Sequence, residues 1–306
     1  MTVSRISISL VTPCRNGATY LAQAMDSVLS QKGDFDLEYI IVDGVSDDGT
    51  LDIIRAREDR LTGWVSEPDG GMYDALSKGL ERTSGEVMGW INSDDVYFPW
   101  ALDTVARVFA DLPEVEWIST LNPAAIDTNG DIFGIRRIAG FARDAFLDGV
   151  YVGFDGLGNP LATNFIQQES TFWRRSLWDK LGPDPLGRYR ANRRPAGDFA
   201  LWCLFYEHAE LYGIEAPLCG WRMHPGQWTE AETYQTEVAI ELDGMRARLN
   251  HTPNLSPPDG FAHYEGTYVV KADLADPASK WRTVEKRFFV APKSDVKTAL
   301  GHGWLF

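Results

Sequence analysis

The stretch whose reading decides the fold is "EVMGWINSDD", residues 86–95. Val87, Met88, Trp90 and Ile91 form an apolar run of strand length, and the run stops at Asn92, Ser93 and two adjacent carboxylates, Asp94 and Asp95. Carboxylates side by side repel each other unless a cation or a proton sits between them. The end of this strand therefore reads as a binding site. Upstream, a short strand in "GWVSEPDGG" (63–71) leads into the helical "MYDALSKGLERTSG" (72–85). Before it, "LEYIIVDG" (37–44) is a strand closed by Asp43 and Gly44, after which Thr50 is expected to cap a helix holding Leu51, Ile53 and Ile54. The series starts with "RISISLVTPC" (5–14), followed by "ATYLAQAMDSVLSQ" (18–31) with Leu21, Met25, Val28 and Leu29 on one helical face. Strands alternating with helices imply parallel pairing in an open sheet with helices on both faces.

In such sheets ligands bind beyond the carboxyl ends of the strands. The polar clusters at 12–16, 43–48, 67–71 and 92–95 each follow a strand directly, so all four are expected on one edge. Asp, Asn, Gly and Ser are common turn residues, and any one cluster has that plain explanation. Four converging clusters make a site.

Composition narrows the ligand. The chain has 306 residues, 44% hydrophobic and 24% charged, enough for one or two sizeable cores. Its 29 Lys and Arg against 44 Asp and Glu give a net charge of −15, which disfavours nucleic acid and anionic membrane surfaces. A phosphate must be held locally, by a metal or a few chosen cations. Cys14, Cys203 and Cys219 are odd in number and irregularly spaced, so neither a disulfide framework nor a zinc knuckle is indicated. No apolar run approaches the ~18 to 20 residues of a membrane span, and the N-terminus lacks signal-peptide features. The expectation is a cytoplasmic protein, free or peripheral at the inner face of the membrane.

Five segments resemble the inverting family 2 glycosyltransferases of GT-A fold. They are "VTPCRNGATYLAQAMDSVLSQ", "EYIIVDGVSDDGT" and "SEPDGGMYDALSKGLERTSGEVMGWINSDD", then more loosely "QQESTFWRRSLWDKLG" and "GDFALWCLFYEHA". The resemblance covers roughly residues 4–229. It implies an α/β fold with a Rossmann-like, mostly parallel sheet flanked by helices. Residues 1–250 are then the catalytic domain and 251–306 a small β-containing extension of unknown role. After "HTPNLSPPDG", which reads as a linker, that extension is expected to hold two strands, in "GTYVVKADL" and "WRTVEKRFFVA".

The same resemblance implies transfer of a hexose-type sugar from a nucleotide diphosphate sugar, most commonly a UDP-sugar. The acceptor would be a hydroxyl on a carbohydrate or lipid-linked carbohydrate, in cell-surface polysaccharide or glycoconjugate synthesis. Position by position, Asp43 would contact the nucleotide base, with Thr12, Pro13 and Asn16 lining the same pocket. Asp94 and Asp95 would hold Mn2+ or Mg2+ against the donor diphosphate, with His224 as a further ligand. A hard cation on one or two carboxylates neutralises a departing diphosphate and keeps positions for its oxygens. The plain alternative for the pair is an N-cap of the helix in "FPWALDTVARVF". Asp69 and Asp74 would reach the sugar. Asp198, opening a helix in "RRPAGDFALWCLF", would be the general base, although Gly197 stands where an acidic residue is commoner. Gln168, Glu169, Trp173 and Trp228 would line the acceptor side. Two other readings stay open. A sugar-nucleotide nucleotidyltransferase would normally carry a Gly-rich, basic phosphate loop, whereas "VTPCRNGAT" offers only Arg15; a non-catalytic nucleotide or carbohydrate-binding module would bind without turnover.

Overall fold

A computed structural model describes residues 5–153, 164–190, 195–225, 232–272, 276 and 279–290. The four expected strands are β1 (Ile6–Cys14), β2 (Phe35–Asp43), β3 (Gly63–Ser66) and β4 (Val87–Trp90), with α1 (Leu21–Leu29), α2 (Thr50–Arg55) and α3 (Met72–Leu80) between them. They lie in the order β4-β1-β2-β3, all parallel.

The near-continuous apolar character of these strands reflects burial on both faces. Alternate residues serve different cores: Ile8, Leu10, Ile41, Val87 and Ile91 pack with Met25 and Val28 of α1, while Val11, Ile40, Val42, Met88 and Trp90 pack with Leu76 and Leu80 of α3. Helix α3 approaches so closely that a Cβ on Gly79 would stand 2.3 Å from the Val11 side chain. The cap of α2 differs from expectation. Asp48, not Thr50, accepts from the first free backbone amide, through Oδ1 at 3.1 Å from Thr50 N.

The chain continues through β5 (Val96–Tyr97), α4 (Ala101–Asp111), β6 (Trp117–Thr120), β7 (Ala124–Ile126), β8 (Ile132–Ile135) and α5 (Arg143–Leu147). Next come β9 (Phe172–Arg174), α6 (Arg175–Lys180), α7 (Gly187–Arg190), α8 (Gly197–His208), β10 (Leu211–Ile214) and β11 (Cys219–Arg222). The last elements are α9 (Glu232–Leu249), β12 (Ala262–Lys271) and β13 (Arg282–Val290). Among the described residues the main sheet has nine strands in the order β13-β12-β10-β6-β9-β4-β1-β2-β3, and a second sheet has the order β5-β11-β7-β8. Strand β9 runs antiparallel to both β4 and β6 and so joins the two halves of the main sheet. The tail strands continue that sheet: β12 pairs in parallel with β10, and the rings of Tyr212 and Tyr268 stack across the pair at 5.1 Å.

Helix α8 is apolar on every side, with Phe199, Leu201, Trp202, Cys203, Phe205 and Tyr206 all buried. A helix of that kind belongs in a core rather than on a surface. Its first turn holds Asp198, so the rest of the helix anchors that carboxylate in the core. Among the described residues no helix is long and apolar enough to cross a membrane.

Candidate active site

The loops after β1 and β2 are stitched together by short polar side chains. Asn16 N donates to Ser46 Oγ at 2.7 Å, Asp47 N to Asn16 Oδ1 at 3.0 Å, Gly17 N to Thr50 Oγ1 at 2.9 Å and Ala18 N to Asp48 Oδ2 at 3.0 Å. This network holds Val45 at φ +60° with half its surface exposed, a conformation that costs a β-branched residue free energy. Asp43 sits beneath the network. It is fully buried, and its oxygens accept from Ser46 N at 3.0 Å, Ser46 Oγ at 2.5 Å and Ser66 Oγ at 2.6 Å. The expected contact between Asp43 and a nucleotide base is corrected accordingly: these bonds already occupy the carboxylate, which shapes the loop from below. Thr12 is likewise buried, paired with the Tyr39 hydroxyl at 2.9 Å, and supports the cleft without lining it.

A cleft of about 450 Å³ opens at this sheet edge. Pro13, Arg15 and Asn16 come to it from the first loop, Asp69 from the third, Asn92, Asp94 and Asp95 from the fourth, and Gln168, Glu169 and Asp198 from later in the chain. The expected convergence thus brings three of the four clusters to one wall, with the second cluster bracing the first. Asp69 also closes its own turn, accepting from Gly71 N at 2.9 Å. Asp74, expected at the sugar, points elsewhere. Burial works to raise its pKa, but bonds from Gly70 N, Arg190 and Lys78 outweigh it and hold the carboxyl below its usual range. Asp74 fastens α3 to α7.

The two adjacent carboxylates take different surroundings. Asp94 opens on the cleft, with Oδ2 at 2.9 Å from His224 Nε2. Asp95 is 1% exposed; its Oδ1 accepts from Arg222 N at 2.7 Å and its Oδ2 from the Asn92 amide at 3.1 Å. Burial, with Glu169 and Asp94 nearby, pushes the Asp95 carboxyl well up, and burial raises Glu169 to about 7. The Asn92 amide bridges the two, donating to Asp95 Oδ2 at 3.1 Å and to Glu169 Oε1 at 3.2 Å. Neither aspartate caps α4, which starts at Ala101 behind Trp100.

Among the described residues no group of three or more His, Cys, Asp or Glu side chains is gathered to hold a metal ion alone. Asp94 and His224 do form an oxygen and nitrogen pair on the cleft wall, with the Asp95 carboxyl behind it. That fits a hard cation that takes its other ligands from phosphate and water. Arg222, which sequence reasoning missed, fixes this corner. Fully buried, it donates through Nε to Asp94 O at 2.6 Å and through Nη1 to Asp127 O at 2.8 Å, and its guanidinium lies 4.6 Å from the Tyr20 ring centroid. Its signal was an arginine at the end of the otherwise apolar β11.

Asp198 lies across the cleft at the start of α8. Its Oδ1 accepts from Phe199 N at 2.7 Å, its own N donates to the Tyr73 hydroxyl at 3.1 Å, and burial pushes the carboxyl up to about 6. The ring of Tyr73 also explains Gly197: a Cβ there would stand 2.7 Å from it, so an acidic side chain has no room. Gln168 spends its amide on Trp90 O at 2.9 Å and its oxygen on Asn92. Trp173 is a correction. It is fully buried among Trp90, Trp178, Trp202 and Phe205, because its place on β9 turns it inward, and it does not reach the acceptor side. Trp228 lies outside the described residues.

Known proteins resemble this chain in sequence and in fold. Residues 9–122 match the family model described as Glycosyl transferase family 2. An uncharacterized glycosyltransferase of Rickettsia prowazekii is 23% identical over 236 residues, 77% of this chain and 70% of that protein. A PGL/p-HBAD biosynthesis glycosyltransferase of Mycobacterium bovis is 32% identical over 186 residues, 60% of this chain and 64% of that protein. The crystal structure of S. aureus TarS 1-349 in complex with UDP-GlcNAc superposes with a TM-score of 0.56 at 16% identity, over 77% of this chain and 66% of that one. This chain thus spans about two thirds of the length of these relatives. At 16% identity the structural likeness speaks for the fold alone, while the family match covers β1 to β6 and with them Asp94 and Asp95, but not His224, Arg222 or Asp198. Residues 9–122 of this chain thus resemble glycosyl transferase family 2, and the fold is that of the GT-A glycosyltransferases.

Proposed function

We propose that this protein is a glycosyltransferase that moves one sugar from a nucleoside diphosphate sugar to an acceptor hydroxyl by single displacement, inverting the anomeric centre. The observation that carries the reading is one cleft walled on one side by Asp94 and Asp95 and on another by Asp198. A carboxyl held near 6 is mostly ionised at neutral pH yet basic enough to accept a proton, as a general base needs. The acceptor oxygen forms its bond to the anomeric carbon as the bond to the diphosphate breaks. The diphosphate leaves with the electron pair, and the hydroxyl proton goes to Asp198. Attack opposite the leaving group inverts the centre.

Asp94, with His224 beside it and Asp95 behind, would hold Mn2+ or Mg2+. When bound, such a cation neutralises charge on the leaving diphosphate. Arg222 keeps this corner rigid through the Asp94 carbonyl and the Asp95 carboxyl. Pro13, Arg15, Asn16 and Asp69 would receive the nucleotide. A UDP-sugar is the favoured donor, supported by the family resemblance and by the UDP-GlcNAc named in the TarS complex. The relative named for PGL/p-HBAD biosynthesis supports a glycoconjugate product, with a carbohydrate or lipid-linked carbohydrate as acceptor.

The test is a panel of nucleotide sugars with Mn2+, read by release of the nucleoside diphosphate and by NMR of the product's anomeric proton. An α-linked donor should give a β-linked product. A retained configuration would overturn the single displacement, and no diphosphate release from any donor would overturn the activity.

A further inference from the structure

Tyr73 stands on α3, 125 residues before Asp198 in the chain and against it in the fold. Its ring is buried, meets Tyr189 edge-on at 5.9 Å and rests on the bare backbone of Gly197. The hydroxyl donates to Pro195 O at 3.0 Å, accepts from Asp198 N at 3.1 Å, and makes a longer contact of 3.4 Å with Asp198 Oδ1. A tyrosine hydroxyl has one proton to give. That proton is divided between Pro195 O and Oδ1, while a lone pair holds the backbone amide at the start of α8.

The two carboxyl oxygens of Asp198 are therefore unequal. Oδ1 accepts from Phe199 N at 2.7 Å and faces the Tyr73 hydroxyl, whereas no described residue donates to Oδ2. Burial pushes the carboxyl up to about 6 against these two bonds, which favour its ionised form. Burial, with the Asp198 charge nearby, also pushes the Tyr73 phenol well up, so it keeps its proton throughout the range in which Asp198 titrates.

We propose that Tyr73 is the positioning residue of the general base: its hydroxyl proton steadies Oδ1 of the ionised carboxylate and leaves Oδ2 as the oxygen that takes the acceptor proton. As that proton reaches Oδ2 the carboxylate loses its charge, and the phenol proton turns to Pro195 O, its closer partner. Tyr73 neither gains nor loses a proton. The contact to Oδ1 is long, and catalytic hydrogen bonds commonly tighten when substrate binds. The inference rests on the proposed sugar transfer for what Oδ2 does, but the hold of Tyr73 on Asp198 can be measured without turnover.

Other titratable groups face the same carboxyl. Glu169, ahead of β9, and Tyr234 of α9 both feel the Asp198 charge. Asp94 and Asp95 lie across the cleft, Arg136 follows β8 in an adjoining wall, and Glu237 of α9 accepts from Ala196 N at 3.2 Å. Since Glu169 titrates at about 7, close to Asp198, the two signals must be told apart.

The experiment is a carbon-13 NMR titration of the aspartate carboxyls in the full chain, with Asp198→Asn identifying the Asp198 signal by its loss. Its midpoint near 6 should rise by about 0.5 to 1 pH unit in Tyr73→Phe, the scale of one hydrogen bond. The acid limb of kcat/KM should move up with it. Tyr189→Phe takes a hydroxyl from the same aromatic pair, but one bonded to Glu241, and should leave the midpoint in place. Loosened packing alone would admit water to the carboxyl and move the midpoint down toward 3.8. Thermal melting checks that each variant is folded. An unmoved or lowered midpoint in Tyr73→Phe, or an equal rise in Tyr189→Phe, would overturn the proposal. A second reading needs no change at position 73: in the parent labelled at tyrosine Cζ, one resonance should titrate with the Asp198 midpoint and stay still in Asp198→Asn, and the absence of such a resonance would also overturn it. A midpoint that moves as expected in a protein that releases no diphosphate from any nucleotide sugar would instead overturn the sugar transfer and leave the hold on Asp198 standing.

Discussion

Replacing Asp198 with Asn should make the protein more stable and nearly inactive, and the size of the gain follows from its burial. The folded carboxyl titrates near 6 against an ordinary value of 3.8, because burial disfavours its charge. Between those two values the folded chain keeps a proton that the unfolded chain has released. Stability therefore falls as pH rises through this window, and below it the two states are protonated alike. At about 1.4 kcal/mol per pH unit the full cost is about 3 kcal/mol, an upper bound. Asp198 lines the cleft and solvent reaches part of it, so about 1 to 3 kcal/mol is expected at neutral pH. Asn keeps an oxygen for Phe199 N and cannot ionise. Urea unfolding of parent and Asp198→Asn at pH 4 and pH 7.5 should show little difference at the first and a more stable mutant at the second. Turnover should drop about 10²- to 10⁴-fold with donor affinity retained, and the parent's kcat/KM should rise with pH through about 6. A mutant whose advantage over the parent is no larger at pH 7.5 than at pH 4 would refute the cost of the buried charge. A mutant with near-parental turnover would place the base elsewhere, with Glu169 as the next candidate.

Asp94→Ala should abolish the Mn2+-dependent part of UDP binding in calorimetry without unfolding the chain, and an unchanged metal dependence would remove Asp94 from that role. Asp95→Ala should also lose metal dependence, and in addition about 2 to 4 kcal/mol of stability by denaturant titration, since Arg222 N and the Asn92 amide lose their acceptor. Asp43→Ala removes the acceptor for three donors and should cost about 2 to 4 kcal/mol, with nucleotide affinity falling as the loop loosens; unchanged stability would contradict its structural placement. Val45→Gly should relieve the left-handed backbone and stabilise by about 1 kcal/mol, read as a shift in the urea midpoint.

The part of the fold legible in the sequence is the part made by neighbours. In the segment ending at Asp95 strands and helices alternate and the strands pair with one another, so period and turn chemistry locate the elements and the loops they bring together. From Val96 onward the pairing is non-local. Cys219 of β11 pairs with Tyr97, and Leu211 of β10 pairs with Trp117. No local pattern specifies such partners. The site follows the same division. That Asp94, Asp95 and Asp198 reach one cleft was legible because chemistry marks the residue type at a strand or helix end. Trp173 was misplaced because a three-residue strand is too short for alternation to show which way a ring points. Asp43 was misread because a carboxylate after a strand looks the same whether it meets a ligand or two serines. Tyr73, which pushes out a side chain at Gly197 and holds the Asp198 backbone, is visible only once α3 and α8 are packed together.

The three residues of β9 also set a timetable for biosynthesis. Strands β1 to β4 need only local helix crossovers and can assemble as soon as they leave the ribosome. In the main sheet β6 bonds to β9 and β10, and β9 follows β4 by roughly 80 residues. At ~5 to 20 residues per second, a nascent chain then spends roughly 4 to 16 s with the β4 edge uncovered. That edge carries Val87 and Met88, which later pair with Arg174 and Trp173. An unpaired, hydrophobic strand edge is the usual template for wrong association. Chaperone dependence and inclusion-body formation on overexpression are expected to track synthesis speed across residues 91–174, and slow codons placed there would lengthen the hazard rather than ease it.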